Sequence, residues 1–448
     1  MPSQLHFVKI GVALLAFSNL LIASNHGSCC QSHDLWIDKD EDENYIARHE
    51  CSFVQAGNAF LMFGGRESSQ RLDLYDFQKN KWSLGKEAPK EFNHFQATYY
   101  QGFVWVIGAF KDNNFPRETP EESVWLYDPS ADEWIQGPEI PEHRRRGGAG
   151  LVVYNDKFYL IGGNTIGHDG GYVNWFDEYN PQTNEWTELP PASQARDHFH
   201  AAILNGVLYA SGGRKSGGEG GFFSPLIDVV DTYNFATGKW STLNENLPTP
   251  RAAPGIAVFK DQLFVMGGEG EERGPAYKIV EAYNPEKGVW SRMADMLYAR
   301  HGTQAIVSGK GIYIAGGSPK RGGGRQLNME VYSHDSPEPY LVTPSRLISA
   351  EEISVAVGTS IAISLEATVG NAGCFINKVD LKGNNAKNFS IQSDIDQTLI
   401  LANSKRTLTI KNNGPANQKK AYLLITYNGT QELIINLASS LTTEKISS

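Results

Sequence analysis

The sequence lacks a surplus of basic residues, a long apolar run beyond its N-terminal segment, and an abundance of cysteine. Forty Lys and Arg stand against 50 Asp and Glu, which argues against general binding to nucleic acid, because that requires an excess of positive charge. No uncharged apolar stretch after residue 25 approaches the roughly 18 residues of a membrane span. The four cysteines are Cys29, Cys30, Cys51 and Cys374, and spacing alone leaves their pairing open. What is abundant is glycine and aromatics, which favours short strands and tight turns.

The segment 1–24 has the pattern of a signal peptide. Lys9 precedes an apolar run over residues 10–23, and small or polar residues follow. This predicts a secreted, extracellular protein, or a periplasmic one if the source is bacterial, in a compartment that permits disulfides. A retained anchor is the alternative, but the run is short for a bilayer. Lipid anchoring at Cys29 is disfavoured, because His26 stands where that motif requires an aliphatic residue.

A repeat of about 50 residues runs through residues 31–336. Each copy has a glycine pair after an apolar run, then a tyrosine, and then a tryptophan seven residues after the tyrosine. The Tyr/Trp pairs are Tyr75/Trp82, Tyr127/Trp134, Tyr179/Trp186, Tyr233/Trp240 and Tyr283/Trp290. The glycine pairs are Gly64-Gly65, Gly162-Gly163, Gly212-Gly213, Gly267-Gly268 and Gly316-Gly317, with Gly108-Ala109 in the second copy. This order and period resemble the kelch family over about residues 33–335, which implies a β-propeller with four strands, a to d, in each blade.

A third regularity indicates the number of blades. In five of six copies an arginine precedes the first glycine of the pair by the same number of residues, as Arg48 precedes Gly64. In the second copy Phe92 occupies this repeat position. These arginines are Arg48, Arg146, Arg196, Arg251 and Arg300. We expect strand a to start there, b to end at the glycines, c to carry Tyr and d to carry Trp. The sixth copy has no later Trp, but Trp36 precedes Arg48 at the same distance along the sequence as Trp134 precedes Arg146. The prediction is an all-β, six-bladed kelch propeller closed by the N-terminal strand.

The pattern changes after Pro337-Glu338-Pro339. Residues 340–440 contain about seven short strand-like runs, and Asn428-Gly429 is typical of a two-residue hairpin turn. They predict an immunoglobulin-like β-sandwich with its own core, followed by a polar tail over 441–448. The segment also resembles the sandwich domains of the ASPM/SPD-2/Hydin group. Asn388 and Asn428 begin glycosylation sequons, if the source glycosylates.

The candidate site lies where the d-to-a and b-to-c connections meet on one face. The b-to-c loops are the long ones, and long loops in a compact fold are usually functional. The candidate ligand-binding residues are Arg48, His49, Arg146, His168, Asp169, Arg196, Asp197, His198, Arg251, Arg300 and His301. Guanidinium groups would hold a carboxylate or a polyhydroxylated ligand. The alternative is that the arginines are structural and tie the blades together. His198 and His200 would lie on one side of a strand as a metal pair, with His168 or Asp169 as a third ligand, but without a ligand motif we predict no metal and no cofactor.

These features favour a monomeric binding module for an extracellular protein or glycan. The sequence contains no nucleophile–base constellation, phosphate loop or paired-carboxylate motif that would argue for an enzyme. The alternative is a carbohydrate-active enzyme, because sialic-acid mutarotases and galactose oxidase are also built on kelch propellers. A copper oxidase is disfavoured, since residues 340–448 contain no histidine to supply that family's sandwich-borne ligand.

Overall fold

Six four-stranded antiparallel sheets follow one another along the chain. The computed structural model describes residues 35–41, 44–414 and 420–440, so the predicted signal peptide, Cys29, Cys30 and the polar tail lie outside the described residues. The strands of blades 1 to 3 are β1 (Trp36–Glu41, which joins blade 6), β2 (Cys51–Ala56), β3 (Ala59–Gly64), β4 (Leu72–Asp76), β5 (Lys81–Leu84), β6 (Thr98–Tyr100), β7 (Phe103–Val106), β8 (Ser123–Asp128), β9 (Glu133–Glu139), β10 (Gly150–Tyr154), β11 (Lys157–Ile161), β12 (Phe176–Asn180) and β13 (Glu185–Leu189). Those of blades 4 to 6 are β14 (Ala201–Leu204), β15 (Val207–Ala210), β16 (Asp231–Asn234), β17 (Lys239–Thr242), β18 (Gly255–Phe259), β19 (Gln262–Met266), β20 (Val280–Asn284), β21 (Val289–Arg292), β22 (Ala305–Ser308), β23 (Gly311–Ile314) and β24 (Asn328–Tyr332).

The innermost strands of neighbouring blades contact one another around a closed ring. The sequence of contacts is β2, β6, β10, β14, β18, β22 and back to β2. Strand a begins three to six residues after the repeat position, rather than at the arginine as expected. The arginines therefore lie in the segments that lead into the inner strands.

The repeat residues form the hairpins and join the blades. Each repeat Tyr lies directly opposite its Trp across strands c and d, as Tyr179 and Trp186 do. Both glycines of each pair have positive φ. At Gly162 a Cβ would lie 2.6 Å from the Arg196 carbonyl oxygen of the next blade, so only glycine fits there. The Gly163 N–H donates to that same carbonyl, which links neighbouring blades.

The repeat tryptophans lie on strand d as expected, but their surroundings differ from one blade to another. Trp134 and Trp240 are only partly buried, and each indole N–H donates to a carbonyl of the blade before it, at 3.0 and 2.8 Å. Trp82 departs from this pattern: it is 3% exposed, and its ring stacks on Tyr45 at 4.4 Å within the apolar cluster between blades 1 and 6. The equal spacing of the tryptophans therefore predicts their strand but not their degree of burial.

The N-terminal strand completes the sixth blade, as the spacing of Trp36 predicts. β1 pairs antiparallel with β24, with Trp36 opposite Tyr332. The Trp36 indole donates to the Ala294 carbonyl of blade 5 at 2.9 Å, just as the Trp290 indole donates to Glu245 of the blade before it. Trp36 thus occupies the strand-d position of blade 6.

Nine further strands form two sheets, here called the C-terminal module (Arg346–Ser440). They are β25 (Arg346–Ile348), β26 (Glu352–Ala356), β27 (Ser360–Thr368), β28 (Cys374–Lys382), β29 (Phe389–Ile391), β30 (Thr398–Ile400), β31 (Lys405–Asn412), β32 (Ala421–Tyr427) and β33 (Gln431–Ser440). The sheet orders are β25-β27-β31-β29 and β26-β33-β32-β28-β30. Asn428 and Gly429 both have positive φ in the β32–β33 turn, as predicted. Three short 3-10 helices, Glu142–Arg144, Gly167–Asp169 and Ala386–Asn388, complete the described elements.

The C-terminal module contacts the a–b and c–d turns of blades 2 and 3. Phe375 and Leu399 pack into the same apolar cluster as Trp105, and the Gly373 N–H donates to the Gln101 carbonyl. The module therefore lies on the face of the ring opposite the long b–c loops. The side chains of Asn388 and Asn428, which begin the two glycosylation sequons, are both buried in the folded chain. Cys51 and Cys374 are buried thiols, and neither forms a disulfide with a described residue.

Candidate functional site

The ring of repeat arginines is structural, contrary to the expectation of an exposed ligand-binding face. Arg48, Arg146, Arg196, Arg251 and Arg300 are all at most 1% exposed. Each forms a buried ion pair with a carboxylate on strand c of its own blade. The partners are Asp73, Asp177, Asp231, Glu281 and Glu330, in that order. Burying a guanidinium is costly unless it is paired and hydrogen-bonded, and these partners meet that cost.

The arginines also donate hydrogen bonds to backbone carbonyls where strand b ends and strand c begins. Arg300 Nη1 donates to the carbonyls of Gly316 and Asn328, at 2.8 and 2.9 Å. Blade 2 shows the apolar version of the same tie: Phe92 replaces the arginine, Trp125 replaces the acid, and their rings lie 6.2 Å apart. The contacts therefore support the alternative interpretation that the arginines are structural, but their side chains tie the strands of one blade, and only their backbone carbonyls link neighbouring blades.

The channel is instead lined by the two residues that follow each repeat arginine position. The second of these has positive φ in all six blades: Glu50, His94, Gly148, His198, Ala253 and Gly302. Their peptide groups form a hydrogen-bonded ring, in which each N–H donates to the carbonyl of the blade before it; at the junction of blades 6 and 1 the donor is Cys51. This ring of peptides turns the side chains of Glu50, His94 and His198 into the channel mouth.

Histidine–acid pairs fill this mouth. His49 Nδ1 lies 3.0 Å from Glu67, and His168 Nδ1 lies 3.0 Å from Glu118. His198 Nδ1 is hydrogen-bonded to the Asp197 carboxylate, which also accepts from the Ser216 hydroxyl. These contacts lock the orientation of each imidazole through its Nδ1 atom.

Two arginines from the b–c loops add charge to the same region. Arg214 pairs with Glu269, whose other oxygen lies 3.2 Å from His301 Nε2. Arg66 pairs with Glu118. Unlike the repeat arginines, these two guanidinium groups lie at the mouth among the histidines.

Burial controls the protonation of His94 and His198. It lowers the pKa of His94 and His198 well below the usual value, and the positive charges of nearby groups act in the same direction. Burial opposes ionisation of Glu118, but hydrogen bonds and charges from His168 and Arg66 outweigh it and lower the pKa of that carboxyl to about 2. Burial raises the pKa of Asp197 to about 6. At pH 7 the imidazoles of His94 and His198 are neutral and both carboxyls are ionised.

A cavity of about 20 Å³ is lined by the residues of the peptide ring, among them Glu50, His94 and His198, and by His200. This volume suits about one water molecule. His198 and His200 thus line one cavity, although they precede β14 rather than lying along a strand as expected.

The outer rim of the mouth carries exposed aromatic side chains from two loops. Phe115 is 50% exposed and Phe222 is 37% exposed, and their rings lie 5.4 Å apart. Phe223, next in the chain, lies within cation–π distance of the guanidinium groups of Arg214 and Arg321, at 4.9 and 4.4 Å from its ring centroid. An apolar patch therefore borders the polar channel.

The structure brings together His49, His168, Asp197, His198 and His301 of the expected set. Asp169 lies at the rim, paired with Arg117, and is not among the channel groups. The site also contains residues that were not among the predicted site residues: Glu50, His94, Glu118, Arg214 and Glu269. Glu50 and His94 lie two residues after the repeat arginine position, as His198 does, so their place in the repeat is a signal that could have found them.

The buried histidines predict a loss of stability on mild acidification. Burial lowers the pKa of His200 to about 4, whereas an unfolded histidine titrates near 6.5. Between these values the unfolded chain binds more protons, so the free energy of unfolding falls as the pH decreases. His200 alone is expected to contribute a loss of about 3 kcal/mol by pH 4. Asp197 opposes this trend below about pH 6, because burial raises its pKa.

Denaturant unfolding of chelator-treated protein at a series of pH values measures this effect. His200→Gln should flatten the pH dependence, whereas His143→Gln, at an exposed histidine, should leave it unchanged. A free energy of unfolding that stays constant from pH 6.5 to 5 would contradict the prediction.

Comparison with known sequences identifies the repeats. Residues 40–213 match the profile of the KLHDC2/KLHL20/DRC7 Kelch-repeats domain, and residues 250–297 match that of the Kelch motif. Together with the six sheets around one channel, these matches make the ring a kelch β-propeller. In the part of the chain that the structure describes, no helix is long and apolar enough to span a bilayer.

The relatives share the propeller repeats over part of their length. Kelch-like protein terF of Aspergillus terreus is 31% identical over 220 residues, which cover 47% of this chain and 46% of that protein. Alpha-scruin of Limulus polyphemus is 26% identical over 178 residues, 38% of this chain and 19% of the relative. Human Kelch-like protein 23 is 26% identical over 233 residues, 49% of this chain and 38% of the relative. The chain thus matches less than half the length of each. The structure of YjhT aligns with a TM-score of 0.55 and 15% identity, over 65% of this chain and 96% of that one, which shows the shared fold.

Proposed function

We propose that this protein is a binding module that holds a partner polypeptide on the b–c loop face of its propeller. The observation that carries the proposal is the exposed Phe115–Phe222 pair beside the polar channel mouth. Aromatic side chains, Phe included, are enriched in protein interfaces because they supply a large apolar contact area. The kelch-type relatives are consistent with protein binding as the general role.

The ligand chemistry differs from the acidic or polyhydroxylated ligand that the arginine ring suggested. The five repeat arginines are already neutralised by their own carboxylates, so they offer no charge to a ligand. The rim offers the two exposed rings of Phe115 and Phe222, and the same loops carry Arg117, which pairs with Asp169, and Phe223, which lies under the Arg321 guanidinium. This surface suits an apolar or aromatic side chain of a polypeptide.

The C-terminal module leaves this face accessible, because it contacts the opposite side of the ring. We propose that the module is an immunoglobulin-like sandwich that serves as a spacer or a second contact. Its two sheets around one apolar core support this proposal. We propose further that residues 1–24 direct export and that the ligand is extracellular. Mass spectrometry of the mature N-terminus after expression in a secreting host tests the cleavage.

Selection of displayed random peptides against the full mature chain tests the binding face. Peptides that bind the wild-type protein should lose at least tenfold in affinity for the Phe115→Ala/Phe222→Ala variant, because each side chain supplies buried apolar contact area. Ile434→Ser removes an equally exposed apolar side chain from the C-terminal module and should leave the affinity unchanged.

The alternative outcomes are distinct. Peptides that bind the double variant as tightly as the wild type would overturn the polypeptide proposal for this face. A glycan-array signal that the same double variant abolishes, without any selected peptide, would assign the face to a glycan instead.

A further inference from the structure

Three histidines from three separate blades converge at the channel mouth. His94 belongs to blade 2, His198 to blade 4, and His168 to the b–c loop of blade 3. Their ring centroids lie 4.5 to 5.0 Å apart, and one ring nitrogen from each lies within 4.8 Å of the other two. Nitrogens that share one tetrahedral Zn²⁺ at about 2.0–2.1 Å lie about 3.3 Å apart, so small side-chain rotations would bring these three into range.

Each of the three imidazoles is held through its Nδ1 atom. The acceptors are the Asn93 side-chain oxygen at 2.5 Å, the Glu118 carboxylate at 3.0 Å and the Asp197 carboxylate. An acceptor at Nδ1 fixes the proton there and leaves Nε2 with a free lone pair. Metal-binding histidines are oriented in this way by outer carboxylates and carbonyl groups.

The Nε2 atoms of His94 and His198 are buried and have no hydrogen-bond partner among the described residues. Glu50 Oε2 lies 3.6 Å from His94 Nε2, beyond hydrogen-bonding distance. Buried nitrogens without a partner are costly, and a metal ion would satisfy both at once.

Carboxylates and guanidinium groups both lie near the three histidines. Glu118 contacts His168 and Asp197 contacts His198, while Arg66 and Arg214 pair with Glu118 and Glu269. The imidazoles of His94 and His198 are neutral at pH 7, which is the form that binds a metal ion.

The backbone places two of these histidines at equivalent positions in the repeat. His94 and His198 occupy the position with positive φ that blades 3 and 6 fill with Gly148 and Gly302, and blades 1 and 5 with Glu50 and Ala253. Glycine adopts this left-handed conformation at lower cost than any of these side chains. Two of the six blades therefore place an imidazole where the backbone favours glycine.

We propose that His94, His168 and His198 bind one divalent transition-metal ion, best matched by Zn²⁺, through their ring nitrogens. Three histidines leave the fourth position for water or for a side chain of a partner. This site is independent of the polypeptide-binding proposal, and it departs from the expectation, drawn from the sequence, that no metal is bound.

Metal titration of the tag-free mature chain tests the site. After treatment with a chelator, the protein should bind one equivalent of Zn²⁺ by calorimetry, and one equivalent of Co²⁺ should give the intense visible absorption of a tetrahedral complex. X-ray absorption of the zinc-loaded protein should show three imidazole nitrogens at about 2.0–2.1 Å.

Substitutions at the ligands and at a matched surface histidine locate the metal. His94→Asn and His198→Asn should each weaken metal binding at least 100-fold, and asparagine tolerates the positive φ at both positions. Glu118→Gln, which alters an outer carboxylate, should cost about 10- to 100-fold. His143→Asn, at an exposed histidine, should have no effect. Far-ultraviolet circular dichroism checks that each variant is folded.

The absence of stoichiometric binding to the wild-type protein would overturn the proposal. So would equal affinity in the folded His94→Asn or His198→Asn variant, or an absorption spectrum of six-coordinate Co²⁺. If either asparagine variant fails to fold, the imidazole count from X-ray absorption of the wild-type protein decides the question. Peptide binding by the chelated protein is measured separately, so failure of one proposal leaves the other standing.

Discussion

Arg300→Ala should lower the free energy of unfolding by about 3–5 kcal/mol, the usual loss when one partner of a buried ion pair is removed. Arg300 joins Glu330 at 2.9 Å, and both side chains are inaccessible to solvent. The substitution leaves a buried carboxylate without its counter-charge and also frees the Gly316 carbonyl from its hydrogen bond. Denaturant unfolding followed by intrinsic tryptophan fluorescence measures the loss.

An exposed ion pair supplies the matched control. Arg292 pairs with Asp295 with both side chains about half exposed, so Arg292→Ala should cost less than about 1 kcal/mol. In the double variant Arg300→Ala/Glu330→Ala, the loss should be smaller than the sum of the two single losses, because the second substitution removes the uncompensated charge. A loss at Arg300 no larger than at Arg292 would contradict the structural role of the repeat arginines.

Deleting residues 35–41 should cause aggregation and a large fall in the melting temperature. Without β1, strand β24 becomes an exposed sheet edge, and the apolar side chains that Trp36 covers become accessible. Trp36→Ala alone should cost about 3–5 kcal/mol, since it empties a buried aromatic site. It also removes the hydrogen bond to Ala294.

Leu35→Ala is the control for this second experiment, because Leu35 is next in the chain but 59% exposed. Its melting temperature should match that of the unaltered chain. If the truncated chain melts at the same temperature as the full mature chain, β1 does not close the ring in solution.

The blades could be predicted because their signals repeat. The glycine pair, the Tyr and the Trp each form the same turn or cross-strand contact in successive copies. Their recurrence therefore distinguishes the repeat from a coincidental spacing of residues. The closing strand could be placed for the same reason, since Trp36 keeps the spacing of the other tryptophans. The burial of Trp82 could not, because it depends on Tyr45, which lies outside the repeated pattern.

The role of the arginines was not predictable from their spacing alone, because an inner position in a repeat does not distinguish a buried side chain from one that faces the channel. A usable signal was present. An acid stands two residues before the repeat Tyr in each copy that has the arginine, and Trp125 takes that place in the copy that has Phe92. The arginine and the acid are thus both present in five copies and both absent from the second copy, which indicates that they pair with each other.

Only part of the histidine cluster could be predicted from the sequence. His198 and His168 stood out in the sequence because they lie in adjoining blades. His94 joins them only because the peptide ring bends the backbone of blade 2 into the left-handed region and turns the imidazole inward. That geometry depends on all six blades packing together, so the only signal in the sequence was the position of His94 in the repeat, which matches that of His198.

The pairing of β1 with β24 means that, during synthesis, β1 leaves the ribosome long before its partner strand. Trp36 meets Tyr332, which lies near the far end of the propeller sequence. At about 5–20 residues per second, a ribosome takes roughly 15 to 60 s to supply that partner. Throughout this interval the first strand of the ring has no edge to join. Its sequence, WIDKDE, is suited to the delay, because most of its side chains are charged and discourage pairing with another chain.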